Sequence, residues 1–321
     1  MNVTPGGCTA EMPYGFQPSF KGFYIASELI IAVFAIMGNV LVCLAVTRNK
    51  ELRTVTNYFL VSLAVSDILV GLVAIPCAVL TDLGRPRHDL PLCLVLLSIL
   101  MVLTQSSILS LLAVAAERYV AILLPFQYQR IMSPRNAWLA LLVTWGLGVI
   151  SGSVPLMDWK RQPADSNYCI FTCVVDMSYM VYFNFFCCLL VPLVAMFVIY
   201  GHIFLTVRRQ LRRIAVEMKS RCEAEGRAKS NARTRHELQK AISLFMVLFL
   251  FMVCWMPIHI INCVLLLCPQ CEVPMTLTLA AILLSHANSA LNPILYAYKM
   301  RSFRHTLISM WRGMWSFRAK C

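Results

Sequence analysis

Seven long apolar runs divide the chain, and each is close to the roughly 20 residues that an α-helix needs to cross a bilayer. Short polar connections separate the runs. This pattern predicts an all-α membrane protein, a seven-transmembrane helix bundle. The predicted spans are 23–46, 56–80, 90–124, 136–157, 177–207, 239–267 and 276–298.

The segments outside the spans complete the predicted organisation. Residues 1–22 form an N-terminal segment, 23–298 the transmembrane domain, and 299–321 a C-terminal helix and tail. The connection 208–240 mixes Arg, Lys and Glu, and we expect it to contain helical extensions of spans five and six. We see no internal repeat, which argues against a transporter, because the halves of transporters often echo each other.

The last predicted span is unusually polar for a helix in lipid. Between residues 285 and 293 it holds a histidine, two asparagines, two serines and a proline. Polar groups inside a membrane face other protein or water, and they mark functional sites by default. This span is therefore the first place to look for function.

An amphipathic helix is predicted after span seven. Apolar residues there recur every three or four positions, and basic residues occupy the other face, which is typical of a helix lying on the membrane surface. These apolar residues are Phe303, Leu307, Met310, Trp311 and Met314. The terminal Cys321 is a candidate for palmitoylation, and an unmodified cysteine is an equal alternative.

The distribution of charge predicts the orientation in the membrane. Of the 28 Lys and Arg residues, 23 lie in the first, third and fifth connections and the tail, counting Arg118 at the end of span three. Positive residues accumulate on the cytoplasmic side, so the N-terminus is predicted to be extracellular. The glycosylation sequon at Asn2 agrees with this. The net charge of +13 then reflects topology, anionic membrane lipid and an intracellular partner rather than nucleic acid.

Several of the 14 cysteines are predicted to lie on or near the outer face, where disulfides persist. They are Cys8, Cys93, Cys169, Cys173, Cys268 and Cys271. Cys268 and Cys271 stand in Cys-Pro-Gln-Cys within one short outer loop, which favours a local disulfide over a metal or redox motif.

Short motifs recur in order along the spans. They are Gly38-Asn39-Val40, Leu63-Ala64-Val65-Ser66-Asp67, Glu117-Arg118-Tyr119, Trp145, Pro192, Cys254-Trp255-Met256-Pro257 and Asn292-Pro293-Ile294-Leu295-Tyr296. Together with seven spans, they resemble the rhodopsin-like G-protein-coupled receptors over the whole chain. The resemblance implies a plasma-membrane receptor that signals to a heterotrimeric G protein and is not an enzyme.

The resemblance also implies roles for buried polar residues. An unpaired carboxylate in mid-span would be costly, and a shared Na⁺ would resolve this. The implied Na⁺ ligands are Asp67, Ser107, Asn288 and Asn292. A protonated Asp67 in a water network is the alternative.

At the cytoplasmic end, Arg118 is implied to pair with Glu117 and Glu237 in the inactive state and to meet the G protein on activation. The implied coupling residues are Glu117, Arg118, Tyr119, Tyr200, Glu237 and Tyr296. A plain surface ion pair would look the same in sequence. The family disulfide would join Cys93 to Cys169, with Cys173 as a rival partner.

Single positions narrow the ligand class. Span seven contains no lysine, so no retinal Schiff base can form, and Leu100 stands where aminergic receptors carry an aspartate. A neutral ligand therefore fits better. Asn262 lies two helical turns beyond Trp255 and offers both a donor and an acceptor, the pairing that an adenine edge requires.

Longer segments resemble the adenosine receptors, among them Cys169-Ile170-Phe171, residues 254–263 and residues 284–289. The resemblance implies adenine stacked on Phe171 and hydrogen-bonded to Asn262, with ribose at Ser285 and His286. The other implied lining residues are Leu100, Met101, Thr104, Gln105, Thr172, Met180, Asn184, Trp255, Ile258, His259 and Ile282. Glu28 is expected to pair with His286 and fix its tautomer.

Alternatives remain for the roles of several residues and for the receptor subtype. Met180, Ile258 and Ile282 could be ordinary helix packing, and His259 could face the bundle without touching ligand. Thr172 replaces the glutamate that most family members carry after the stacking phenylalanine. The resemblance of span five favours the Gs-coupled subtypes. A Gi-coupled subtype and a rhodopsin-like receptor for another neutral ligand are the alternatives.

Overall fold

The computed structural model describes residues 18–157, 168–169, 171–218, 225–268, 270–300 and 303–310. Two predicted modification sites, Asn2 and Cys321, lie outside the described residues, as does Cys8. For Thr172 and Glu237, the backbone alone is described.

Long helices make up most of the described chain. They are α1 (Pro18–Arg48), α2 (Val55–Asp82), α3 (Leu90–Leu123), α4 (Pro134–Gly152), α5 (Tyr179–Leu190 continuing as Val191–Met218), α6 (Glu225–Leu267), α7 (Met275–Lys299) and α8 (303–310). Single turns of helix occupy Lys50–Leu52, Tyr128–Ile131, Val154–Met157 and Phe171–Val174. Two helices contain wider π-helical stretches, Val70–Ala74 in α2 and Tyr179–Leu190 in α5.

These helices form the predicted bundle. Among the described residues, α1 to α6 are each long and apolar enough to cross a membrane. α7 has 25 residues, also sufficient to cross, and its polar side chains make it less apolar than the others. Because α7 packs against both α1 and α6, it closes the bundle as the seventh helix.

Local sequence explains where several helices begin. The side chain of Thr54 accepts a hydrogen bond from the backbone N–H of Asn57 at the start of α2. Asp89 does the same for Leu92 in α3, and Ser133 does so for Asn136 in α4. Threonine, aspartate and serine are favoured at this position because they satisfy N–H groups that have no partner within the helix.

The extensions predicted within 208–240 are present. α5 continues to Met218, and α6 begins at Glu225, well before the predicted start of span six at residue 239. Residues 219–224 lie outside the described chain. Residues 303–310 of the helix predicted after span seven are helical, and Phe303 is fully buried against the bundle. Trp311 and Met314 of that prediction lie outside the described residues.

A small sheet adds to the predicted all-α fold. β1 (Gly84–Arg87) pairs antiparallel with β2 (Tyr168–Cys169), and Gly84 lies opposite Cys169. Two strands this short give no clear alternating pattern, so the sequence did not predict them. We call the end of the bundle that carries β1 and β2 the sheet end, and the opposite end, where Glu117 and Arg118 lie, the Arg118 end.

α4 meets α3 through two glycines. A Cβ atom on Gly148 would lie 2.3 Å from Oγ of Ser106, and one on Gly152 would lie 2.4 Å from the backbone nitrogen of Val102. Small residues allow helix backbones to approach closely in membranes. The rest of α4 exposes large apolar side chains, among them Leu142 and Ile150, so these glycines hold an otherwise lipid-facing helix in the bundle.

α1 and α7 also approach closely. A Cβ atom on Gly38 would lie 2.9 Å from Cγ of Pro293. Nearby, Nδ2 of Asn39 donates to the backbone carbonyl of Ser289 at 2.9 Å. These contacts join α1 to α7 near the proline that interrupts its hydrogen bonding.

Candidate functional site

A disulfide at the sheet end fixes the position of Phe171. Cys93 in the first turn of α3 is bonded to Cys169 in β2, with Cα atoms 5.6 Å apart. This is the pairing that the resemblance implied, and Cys173 is not the partner of Cys93. Because Phe171 follows Cys169 by two residues, the disulfide holds it over the end of α3.

Phe171 packs against an apolar cluster formed by α3 and α5. Met101 and Met180 are buried members of this cluster, and Leu100 and Leu266 pack against the same cluster as Phe171 does. Leu266 is one helical turn beyond Asn262 on α6. The structure therefore brings the predicted stacking residue close to the apolar residues expected to line the same pocket.

Asn262 is a buried amide with unused hydrogen-bonding capacity. Its exposed fraction is only 4%, and the described residues offer its side chain no hydrogen-bond partner. A ligand with a matching donor and acceptor would use this capacity.

His259 lies on α6 one turn before Cys263 and faces the bundle interior. Its ring stacks on Phe185, with centroids 5.2 Å apart, and lies 6.3 Å from the ring of Trp255. Nδ1 of His259 and Nε1 of Trp255 are buried without a hydrogen-bond partner among the described residues. Both are therefore available to water or ligand.

Other predicted pocket residues hydrogen-bond within the protein. The hydroxyl of Thr104 donates to the carbonyl of Leu100 at 2.9 Å, and that of Ser285 donates to the carbonyl of Ile282 at 2.7 Å. The amide of Asn184 donates to the sulfur of Met101 at 3.8 Å. Gln105 is buried, whereas Ile258 and Ile282 are half-buried.

Two polar pairs lie between α1, α2 and α7. Nδ1 of His286 lies 2.9 Å from Oε1 and 2.9 Å from Oε2 of Glu28. One turn earlier on α1, the hydroxyl of Tyr24 donates to Oδ2 of Asp82 at 2.5 Å. The sequence predicted the first pair and missed the second.

A carboxylate lies in the middle of the bundle. Asp67 is fully buried, and it accepts hydrogen bonds from Oγ of Ser289 at 2.8 Å and from Nδ2 of Asn292 at 2.9 Å. The predicted ligand Ser107 instead hydrogen-bonds to Ser66 at 3.0 Å. The structure thus places Asn292 and Ser289 in contact with Asp67. Ser107 instead contacts the hydroxyl of Ser66.

Two oxygen atoms without hydrogen-bond partners lie on α7, on or next to the residues that contact Asp67. Oδ1 of Asn288 and Oδ1 of Asn292 are buried and have no hydrogen-bond partner among the described residues. Among all the residues that the structure describes, no group of three or more His, Cys, Asp or Glu side chains could hold a metal. Any ion here would therefore depend on one carboxylate with hydroxyl and amide oxygens, a set suited to a hard cation.

At the Arg118 end, the guanidinium is held by two elements. Nε and Nη2 of Arg118 each lie 2.7 Å from an oxygen of Glu117, and Nη2 also contacts Oγ1 of Thr56 on α2. Tyr128 donates to Oε1 of Glu117 at 2.7 Å. Burial, assisted by this hydrogen bond, raises the pKa of Tyr128, so its hydroxyl remains a donor at neutral pH.

The structure describes the three tyrosines that are predicted to act in G-protein coupling. Tyr200 and Tyr296 are buried in the same apolar cluster, and the hydroxyl of Tyr296 has no hydrogen-bond partner among the described residues. The ring of Tyr119 lies 5.6 Å from that of His202 on α5. The structure does not describe the side chain of Glu237, so its predicted pairing with Arg118 stays a prediction.

Comparisons with known proteins agree with this arrangement. The profile of the 7 transmembrane receptor (rhodopsin family) matches residues 38–296. The human adenosine receptor A2a is 44% identical over 299 residues, covering 88% of this chain and 70% of the relative. The chicken adenosine receptor A2b is 43% identical over 309 residues, covering 90% and 88%. The mouse adenosine receptor A2b is 44% identical over 302 residues, covering 88% of each.

The chain belongs to the adenosine receptors of the rhodopsin family. It is therefore a multi-pass membrane receptor and not an enzyme. The family assignment made from the sequence motifs is confirmed.

Three residues of this receptor that sequence reasoning missed had detectable signals. Tyr24 precedes Glu28 by four residues, so the two side chains share one face of α1. Asp82 ends an apolar span, where a carboxylate requires a partner. Ser289 stands three residues before Asn292, which likewise places both on one face of α7.

A second disulfide closes the loop between α6 and α7 of the receptor. Cys268 and Cys271 are bonded, with Cα atoms 5.3 Å apart. This matches the local disulfide favoured by their spacing. It shapes the connection into α7 at the sheet end.

Proposed function

We propose that this receptor binds extracellular adenosine at the plasma membrane, with its N-terminus and sheet end outside the cell. The observation that carries the proposal is the buried amide of Asn262, which has no hydrogen-bond partner among the described residues. An amide offers one donor and one acceptor side by side. These match the exocyclic amine and N7 of adenine.

The rest of the adenine site would be apolar. Phe171, held by the disulfide between Cys93 and Cys169, would stack on the purine face. The side chains packed beside it, Leu100, Met101 and Met180, favour a neutral heterocycle over a charged group. Trp255 and His259 lie deeper on α6 and would close the inner side of the pocket.

The ribose would lie toward α7 and α3. Ser285 and Thr104 carry hydroxyls that each donate to their own helix, and each oxygen can still accept a hydrogen bond from a sugar hydroxyl. His286, oriented by Glu28, would contact the sugar through Nε2. The remaining proposed lining residues are Gln105, Thr172, Asn184, Ile258 and Ile282.

A sodium ion is proposed beside Asp67. Asp67, Ser107, Asn288 and Asn292 would hold it, and Ser289 could join them. The unpartnered Oδ1 atoms of Asn288 and Asn292 fit this role, since a cation needs oxygen atoms that are not already hydrogen-bonded. The ion would supply a positive charge that stabilises the buried carboxylate.

We further propose that agonist binding shifts the population of two states and thereby activates a G protein. In the resting state, Arg118 is held by Glu117 and Thr56. Outward movement of the Arg118 end of α6 would free Arg118 to meet the G protein, with Tyr200 and Tyr296 as its new neighbours. The similarity of span five favours Gs and a rise in cyclic AMP.

Binding of a radiolabelled adenosine analogue to cells that express the receptor tests the ligand. Wild type should bind it saturably, and Asn262→Ala should lose at least 10-fold in affinity, since a fully buried bidentate partner is removed. Ile260→Ala is the matched control, because Ile260 is exposed two residues away on the same helix. No specific binding to wild type would refute the proposal.

The G protein is tested in the same cells by cyclic AMP. Gs coupling predicts a rise on addition of adenosine, and Gi coupling predicts a fall after adenylate cyclase has been stimulated. A receptor for a different neutral ligand would show no change in cyclic AMP on addition of adenosine, with or without stimulation of adenylate cyclase.

A further inference from the structure

We propose that Asp82 and Tyr24 are positioning residues of the ligand pocket, which hold Glu28 so that it orients His286 toward the ribose. This inference rests on the proposed binding of adenosine. It concerns side chains that do not touch the ligand themselves and act through His286.

The four side chains form one connected group between α1, α2 and α7. The hydroxyl of Tyr24 donates to Oδ2 of Asp82 at 2.5 Å, and Tyr24 shares one face of α1 with Glu28, four residues later. Both oxygens of Glu28 then contact Nδ1 of His286. Tyr24 thus joins Asp82 on α2 to the face of α1 that carries Glu28.

The number of protons decides how these groups are arranged. A tyrosine hydroxyl has one proton to donate, and two carboxylates, Asp82 and Glu28, can accept it. In the structure the proton goes to Asp82. Both oxygens of Glu28 therefore remain directed at His286.

This arrangement selects one tautomer of the imidazole. Because Nδ1 of His286 lies 2.9 Å from each carboxylate oxygen of Glu28, Nδ1 carries a proton and donates it. An imidazole with its one proton on Nδ1 keeps a lone pair on Nε2, which would accept a hydrogen bond from a sugar hydroxyl. Asp82 favours this state by drawing the Tyr24 proton away from Glu28.

Removal of the Asp82 carboxylate changes the destination of that proton. In Asp82→Leu, Glu28 is the remaining carboxylate beside the Tyr24 hydroxyl. The hydroxyl would donate to Glu28 and pull one of its oxygens away from Nδ1. His286 would lose its fixed orientation, and ligands that use it would bind less tightly.

Binding of two ligands to the whole receptor distinguishes positioning from simple packing. One probe is a radiolabelled adenosine analogue that carries ribose, and the other is a sugar-free purine antagonist. Asp82→Leu should weaken binding of the first about 3- to 10-fold, the range expected for one net hydrogen bond. It should leave binding of the second within about 2-fold of wild type.

Two further variants test the role of the proton. Asp82→Asn keeps a carbonyl oxygen that accepts from Tyr24 and should behave like wild type. Tyr24→Phe added to Asp82→Leu removes the hydroxyl that disturbs Glu28, so the double variant should regain affinity for the nucleoside. Loss of packing between α1 and α2 predicts no such recovery.

Thr81→Val is the matched control for the helix end. Thr81 is buried beside Asp82 and donates to the carbonyl of Ala78 on its own helix, so its loss should affect both ligands equally. An equal loss for both ligands in Asp82→Leu, or no recovery in the double variant, would overturn the inference. Adenosine binding that is abolished by Asn262→Ala but unchanged in Asp82→Leu would leave the proposed function intact and refute this inference alone.

Discussion

Nδ1 of His286 lies at the same distance, 2.9 Å, from both carboxylate oxygens of Glu28. Both side chains are buried, with exposed fractions of 3% and 0%. Replacement of the carboxylate by an amide removes one of these acceptors while keeping the volume. Glu28→Gln should therefore lower the affinity for an adenosine agonist about 10-fold, which corresponds to about 1.5 kcal/mol for a hydrogen bond to a charged group. Saturation binding measures this, and unchanged affinity would show that the pair does not orient the ligand contact.

A second prediction concerns the ion proposed beside Asp67. If Na⁺ binds there and favours the resting state, added NaCl should lower agonist affinity in wild type. Asp67→Asn keeps the shape of the side chain but removes its charge, so agonist affinity should become insensitive to NaCl. Titration with choline chloride in place of NaCl controls for ionic strength. Equal responses to the two salts in wild type would contradict the sodium site.

The glycine contacts of α4 predict a sharp difference between neighbouring positions. Gly148→Ala places a Cβ atom 2.3 Å from Oγ of Ser106, whereas nothing lies within 4 Å of a Cβ atom on Gly146. Overpacking typically costs about 1–3 kcal/mol. Thermal unfolding in detergent should therefore show a lower transition temperature for Gly148→Ala and no loss for Gly146→Ala. Equal transition temperatures would mean that α4 shifts to accommodate the methyl group.

The two disulfides should differ in their effect on stability. Cys93 and Cys169 are 76 residues apart in sequence, and Cys268 and Cys271 are 3 residues apart. Loop-closure entropy assigns about 4.5 kcal/mol to the first and about 1.6 kcal/mol to the second. Cys93→Ser paired with Cys169→Ser should abolish most ligand binding at the cell surface. Replacement of both Cys268 and Cys271 by serine should retain most of the ligand binding. A larger loss of binding from this replacement than from that of Cys93 and Cys169 would contradict the prediction.

Tyr128 predicts a change in signalling without ligand. Because its pKa is raised by burial and by its hydrogen bond to Glu117, the hydroxyl stays protonated at neutral pH and keeps donating. Tyr128→Phe removes this donor, and a loss of about 0.5–1.5 kcal/mol from the resting state would raise basal signalling about 2- to 10-fold.

Cyclic AMP without agonist, normalised to surface receptor, measures that change. Tyr58→Phe is the control, since Tyr58 is exposed on α2. Basal signalling in Tyr128→Phe equal to that of the control would show that Tyr128 does not stabilise the resting state.

The sequence predicted the bundle and the pair of Glu28 with His286 because both follow from simple physical limits. A bilayer requires long apolar helices, and a carboxylate buried in one of them requires a partner. Asp82 escaped prediction because it stands at the end of a span, where a carboxylate can also face water. The contact between Ser107 and Ser66 could not be predicted, since hydroxyls at similar depth can pair in several ways and the rotation of each helix decides between them.

α1 and α7 are joined at two depths, by Glu28 with His286 near the sheet end and by Asn39 with Ser289 further along. Two attachments on one pair of helices prevent either helix from turning about its own axis alone. Gly38 packs against Pro293 just beyond the second attachment. Because Pro293 has no N–H to donate to the carbonyl of Ser289, the turn between these two residues is the weak point of α7. Asn39 donates to that same carbonyl, so α1 supports α7 at this turn. A ligand that contacted His286 would therefore act on α1 and α7 together.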